Sequence, residues 1–123
     1  MAWKVLFHPK FAPEFEALAQ AVQDELLSAV EFVVENGGPA VGRPHVDTLT
    51  GSKHANLKEL RFNADKGVWR VFFAFDPNRQ SVILVAGNKT GISESRFYKG
   101  LIRVADERFD EHLVMLSTGG YDP

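Results

Sequence analysis

No cysteine occurs in the chain, which excludes a disulfide framework, a thiolate zinc site and a cysteine nucleophile. No apolar run approaches the length of a membrane span. The first residues also lack the basic region, apolar core and small-residue cleavage site of a secretory signal. A cytoplasmic protein without membrane association is the expectation. An internal repeat, a phosphate-cradling glycine loop and a nucleophile elbow are equally missing. His45 and His54 have no carboxylate or thiol at ligand spacing, so no metal is expected, and nothing in the sequence asks for a cofactor.

What is present fits one domain spanning residues 1–123, with a frayed tail over 117–123. The formal charge of −2 hides an asymmetry. Between Val41 and Arg103 there are eleven Lys and Arg against five Asp and Glu, while the flanks carry three against eleven. The middle of the chain is therefore the basic part of an acidic protein, suited to drawing in a polyanion. The alternative is a solvated face decorated with long cationic side chains.

That basic block is also where the strand pattern is strongest. Leu57–Asn63, Val68–Phe75 and Ser81–Lys89 are rich in β-branched and aromatic residues, and short polar turns separate them. Asp76-Pro77-Asn78-Arg79 suits a type I turn. Cations inside such strands must pair with acids or face a wet groove, because an unpaired buried charge is costly. Arg70, between Trp69 and Val71, poses this choice most sharply. It is either a structural arginine paired to Glu59 or Asp65, or a functional one.

The flanks read as helices. Ala2–Phe7 is a short strand ended by His8-Pro9, and Pro13 belongs in the first turn of the helix that follows. Phe15, Leu18, Val22, Leu26, Val30 and Val33 recur at steps of three and four, with a break near Ala19 to Val22. Asn36-Gly37-Gly38-Pro39 stops this segment. Ala40–Ala55 has no period and reads as a long loop, a functional or mobile one. Ser93 serves as a helix N-cap, with Glu94 complementing the dipole, before an amphipathic helix marked by Phe97, Leu101, Val104, Ala105, Phe109, Leu113 and Leu116.

The residues Lys58-Glu59-Leu60-Arg61-Phe62, Val68-Trp69-Arg70-Val71-Phe72-Phe73-Ala74-Phe75 and Val85-Ala86-Gly87-Asn88-Lys89-Thr90, then Ser93–Tyr98, carry a family resemblance. Upstream, Gly51-Ser52-Lys53-His54 adds to it. Their order over about Lys4–Leu116 resembles the RelE/ParE toxin superfamily, in particular its phage-derived, HigB-like branch of type II toxin-antitoxin systems. The resemblance implies an α+β fold of order β-α-α-β-β-β-α, a small twisted antiparallel sheet packed on a helical hairpin. It also implies ribosome-dependent cleavage of translated messenger RNA, with catalytic positions falling on Arg61, Arg70, Lys89 and Tyr98. Lys53, His54, Lys58, Arg96 and Lys99 would hold the RNA backbone. Implied partners are a helix-turn-helix, HigA-like antitoxin, through which alone operator DNA is met, and the ribosome with its message. Members of the superfamily that act on a protein target such as gyrase, or only join the antitoxin in repression, supply the alternative. Two features depart from the family pattern: Lys89 replaces a common arginine, and Lys58 stands alone with Glu59 beside it.

Overall fold

A computed structural model describes residues 3–119. Strand β1 (Lys4–Phe7) leads into two helices, α1 (Phe11–Glu16) and α2 (Gln20–Glu35), and a 3-10 turn at Gly38–Ala40. Strands β2 (Val46–Thr48), β3 (Leu57–Ala64), β4 (Gly67–Phe75) and β5 (Gln80–Asn88) follow, then the long helix α3 (Glu94–Thr118). The sheet order is β1-β5-β4-β3-β2. Within it β1 runs parallel to β5, and the other neighbours are antiparallel.

Three features differ from the expectation. The sheet is mixed rather than wholly antiparallel, since a chain leaving β1 through α1 and α2 returns to the far side before winding back to β5. Part of the long loop is an edge strand, β2, whose three residues pair with Leu60, Glu59 and Lys58. Finally, α3 continues through Thr118 and ends at Gly119, which adopts φ +70°; the rest of the expected frayed tail, 120–123, lies outside the described residues.

Residues 71–76 of β4 and its following turn are all buried, because helices cover both faces of the sheet. On one side Val71, Phe73 and Phe75 meet Phe11 and Phe15 of α1 and Leu26, Val30 and Val33 of α2. On the other, Phe72 and Ala74 meet Ala105 and Phe109 of α3. The break between α1 and α2 falls at residues 17–19, close to where the periodicity faltered. The β3–β4 hairpin closes through Asp65 and Lys66, both with positive φ, the conformation that a two-residue turn needs to match strand twist.

A β-bulge decides what faces the α3 side. Phe72 pairs with Val85 but Phe73 with Ile83, leaving Leu84 as the extra residue of β5. Leu84 and Val85 consequently both join the α3-side core, whereas Ile83 joins the other. Beyond the bulge the alternation is shifted by one, so Gly87 and Lys89 share the α3 side. The bulged Leu84 carbonyl accepts a hydrogen bond from Arg108 Nη1 at 2.8 Å. Glu14 holds the same guanidinium with both carboxylate oxygens.

Candidate functional site

Alternation along β3 and β4 sends Glu59, Arg61 and Arg70 to the α3 side of the sheet, with Arg61 directly opposite Arg70. Like charges in register repel, so this pair survives only with nearby negative charge or a wet outlet. Both are supplied. Arg61 opens onto a cleft of about 540 Å³ lined by residues of β2, β3, the 49–50 segment and the first turns of α3. Its Nε and Nη2 donate to Glu59 Oε1 at 3.1 and 2.9 Å, and Nη2 lies 3.4 Å from Asp47 Oδ2. The Glu59 hydrogen bond is the main reason the Arg61 pKa is raised further.

Arg70 does not take the expected carboxylate partner. It is 9% exposed, its Nε donating to the Tyr98 hydroxyl at 3.3 Å and its Nη1 to the Trp69 carbonyl at 2.9 Å. Asp65 is an exposed hairpin-turn residue. Tyr98 stacks on Phe72, with ring centroids 5.8 Å apart, and so forms a lid over Arg70 while lining the cleft. Burial first, then the Glu59 carboxylate, raise the Tyr98 pKa, and Arg70 opposes them. A phenol that holds its proton this way is a hydrogen-bond or proton donor rather than a base.

Acids share the cleft with these cations. Asp47 is held below the usual carboxylate range chiefly by its hydrogen bond from Arg43, 2.8 Å away. Its other oxygen accepts from the Thr48 amide. Glu94 and Ser95 form the rim. The negative charges explain how Arg61 and Arg70 can stand opposite each other, and they leave the cleft of mixed sign.

The other residues singled out from the sequence are spread more widely. Lys89 lies on the α3 side, pairs with Glu94 at 3.4 Å and is not part of the cleft lining. A second groove continues from the cleft, sharing Thr50 and Tyr98 with it, and Lys53, Lys99 and Arg103 line this extension. Lys53 is bound there by Asp110, whose hydrogen bond raises the lysine's pKa. His54 packs edge-on against Phe109 and bonds Asp110 Oδ1 at 2.8 Å, which makes it a strap between loop and helix. Arg96 is exposed on the first turns of α3. Lys58 alternates to the opposite side of the sheet, where it bonds the Thr48 hydroxyl at 2.9 Å. Sequence reasoning undervalued Glu59: its position two residues before Arg61 puts both on one side of a strand, and that signal was available.

The family model described as Phage derived protein Gp49-like (DUF891) matches residues 13–110. A Mycobacterium tuberculosis protein bearing the name toxin HigB2 is 49% identical over 91 residues, which is 73% of this chain and 45% of that protein. The chain thus spans about half the length of that relative. A second protein of that organism, bearing the name toxin HigB3, is 36% identical over 116 residues, covering 94% of this chain and 98% of its own length. Among solved structures, a mutant of E. coli toxin RelE in the free state superposes with a TM-score of 0.63 at 16% identity. It covers 88% of this chain and 98% of that one, a likeness of fold alone. Matched over most of its length by family and relatives, and built on the same fold, the chain belongs to the phage-derived Gp49-like family and is a HigB-like member of the RelE superfamily.

Proposed function

We propose that this protein is the toxin of a toxin-antitoxin pair and an endoribonuclease that cleaves translated messenger RNA on the ribosome. The observation that supports it best is the convergence of Arg61, Arg70 and Tyr98 at one cleft, with a lysine-bearing groove leading away from it. Cleavage through the RNA's own 2′-hydroxyl needs no protein nucleophile. It needs removal of one proton, stabilisation of charge on the phosphorane and protonation of the departing 5′-oxygen.

In this reading Arg61 meets the phosphate directly, since its planar fork suits two phosphate oxygens, and Arg70 adds charge from behind Tyr98. Tyr98 stacks a base or relays a proton, and Lys89 serves as a further clamp or donor. Lys53, Lys99 and Arg96 guide the backbone along the groove. The neutralising partner is a helix-turn-helix antitoxin of HigA type, which alone touches operator DNA, and the site of action is the cytoplasm.

Induced expression followed by mapping of transcript ends tests this. New ends should appear within translated messages, and Arg61→Ala and Arg70→Ala should each lower cleavage by one or more orders of magnitude, at about 1.4 kcal/mol per tenfold. Growth arrest that persists unchanged in Arg70→Ala, or arrest without new ends, refutes the nuclease. One observation favours a second reading: Glu59 and Asp47 already occupy Arg61. A protein of this fold that acts on a gyrase-type protein target, or only joins its antitoxin in repression, would give arrest or repression with intact transcripts.

A further inference from the structure

We infer that Glu59 is the general base of the proposed cleavage, an assignment that rests on the nuclease reading above. Reaction by 2′-hydroxyl attack requires an acceptor at the cleft with a lone pair not already committed. Glu59 is 4% exposed yet lines the cleft. Its Oε1 receives both Arg61 hydrogen bonds. Its Oε2 is fully enclosed and meets no hydrogen bond of acceptable geometry, although the Tyr98 hydroxyl is close enough for the carboxylate to help hold its proton. A buried carboxylate oxygen left open in this way is unusual and asks for an explanation.

The other acceptors at or near the cleft are committed elsewhere. Both oxygens of Asp47 are engaged, Oδ2 by Arg43 and Arg61 and Oδ1 by the Thr48 amide. Glu94 stands at the solvent rim, its side chain 74% exposed, and pairs with Lys89. His54 is turned to Asp110 and lies outside the cleft lining. Tyr98 keeps its proton. Glu59 Oε2 is the remaining base, and its partner arginine sits where the scissile phosphate must bind.

The step then balances. Oε2 takes the proton of the 2′-hydroxyl, the O2′–P bond forms and the P–O5′ bond breaks. The departing 5′-oxygen takes the Tyr98 hydroxyl proton, and Glu59 returns its acquired proton to the Tyr98 oxygen beside it. The products are a 2′,3′-cyclic phosphate and a 5′-hydroxyl, with the protein restored.

Single-turnover cleavage of a message on programmed ribosomes, measured across pH, tests the assignment. Glu59→Gln keeps an acceptor for Arg61 and removes the basicity. It should slow cleavage by about 10²- to 10⁴-fold and abolish the rise of rate with pH on the acid side, while Glu59→Asp recovers part of both. The groups facing Glu59 that also carry charge or titrate are Arg61, Arg70, Asp47, Glu94 and Tyr98, and Arg70→Ala is the control in which the rate falls but the acid limb persists. A Gln variant that cuts at the wild-type rate, or cuts slowly with the acid limb intact, overturns the assignment and leaves Glu59 as a holder of Arg61. A wild-type protein that cuts nothing while arresting growth overturns the nuclease reading itself.

Discussion

Asp76→Ala should unfold this protein at markedly lower temperature while sparing the cleft. The Asp76 carboxylate accepts from the Asn78 and Gln80 amides, both at 2.9 Å, and from Gln80 Nε2 at 2.7 Å. It also bonds His112 Nε2 of α3 at 2.7 Å, with both side chains wholly buried. Removing one partner of such a buried pair costs about 3–5 kcal/mol, and stranding the turn amides adds to this, though water reaches the exposed Asn78. Against a total of roughly 5–15 kcal/mol, a loss of about 4 kcal/mol should lower Tm by about 15 °C at this chain length. Asp76 lies six residues beyond Arg70, roughly 20 Å along an extended strand, so activity per folded molecule should hold. Thermal and urea unfolding followed by circular dichroism measure the first claim, and cleavage assays well below the transition measure the second. A Tm change under about 4 °C, equivalent to roughly 1 kcal/mol, would refute the account of this pair as an anchor between the β4–β5 turn and α3.

Two further outcomes are expected. At Gly87, opposite Arg70, an added Cβ would stand 3.0 Å from Leu101 Cδ2 and from Phe97 Cε1, so Gly87→Val should push α3 off the sheet at a cost of about 1–3 kcal/mol. Cleavage should fall further than the residual folded fraction explains, because Tyr98 moves with the helix. His8 is buried and its Nδ1 accepts from the Lys10 amide at 3.0 Å; burial is the largest cause of its depressed pKa, and Glu111 partly offsets it. The unfolded chain then binds the proton more readily, so stability is complete above the ordinary value of 6.5 and declines as pH falls through the lower folded value. Urea midpoints in His8→Asn should show a flatter decline across that window.

Much of the fold could be read from local pattern, and what escaped depended on pairing. β3, β4 and β5 lie within a residue of where alternation and turns put them, because each is long enough for period two to show. Val46–Thr48 has no such length, and only the register with β3 makes it a strand. The parallel pairing of β1 likewise depends on a partner seventy-six residues away, Gln80 opposite Lys4. In the site, Arg61, Arg70 and Tyr98 come together from positions singled out in the sequence. Lys58 faces the other layer by simple strand parity. Glu59 was read as a counter-ion because sequence shows that an acid stands beside an arginine, not that one of its oxygens is enclosed without a donor.

The extra residue at Leu84 ties geometry on the α3 side to a count rather than to chemistry. Deleting one residue there would restore unbroken alternation and rotate everything downstream by half a turn, carrying Lys89 to the layer of α1 and α2 and leaving Arg108 without the carbonyl it holds. Length changes within β5 should therefore be far less tolerated than conservative replacements of the same residues. The phase of this strand, more than its hydrophobicity, is what keeps the last helix and its tyrosine on the side where the arginines are.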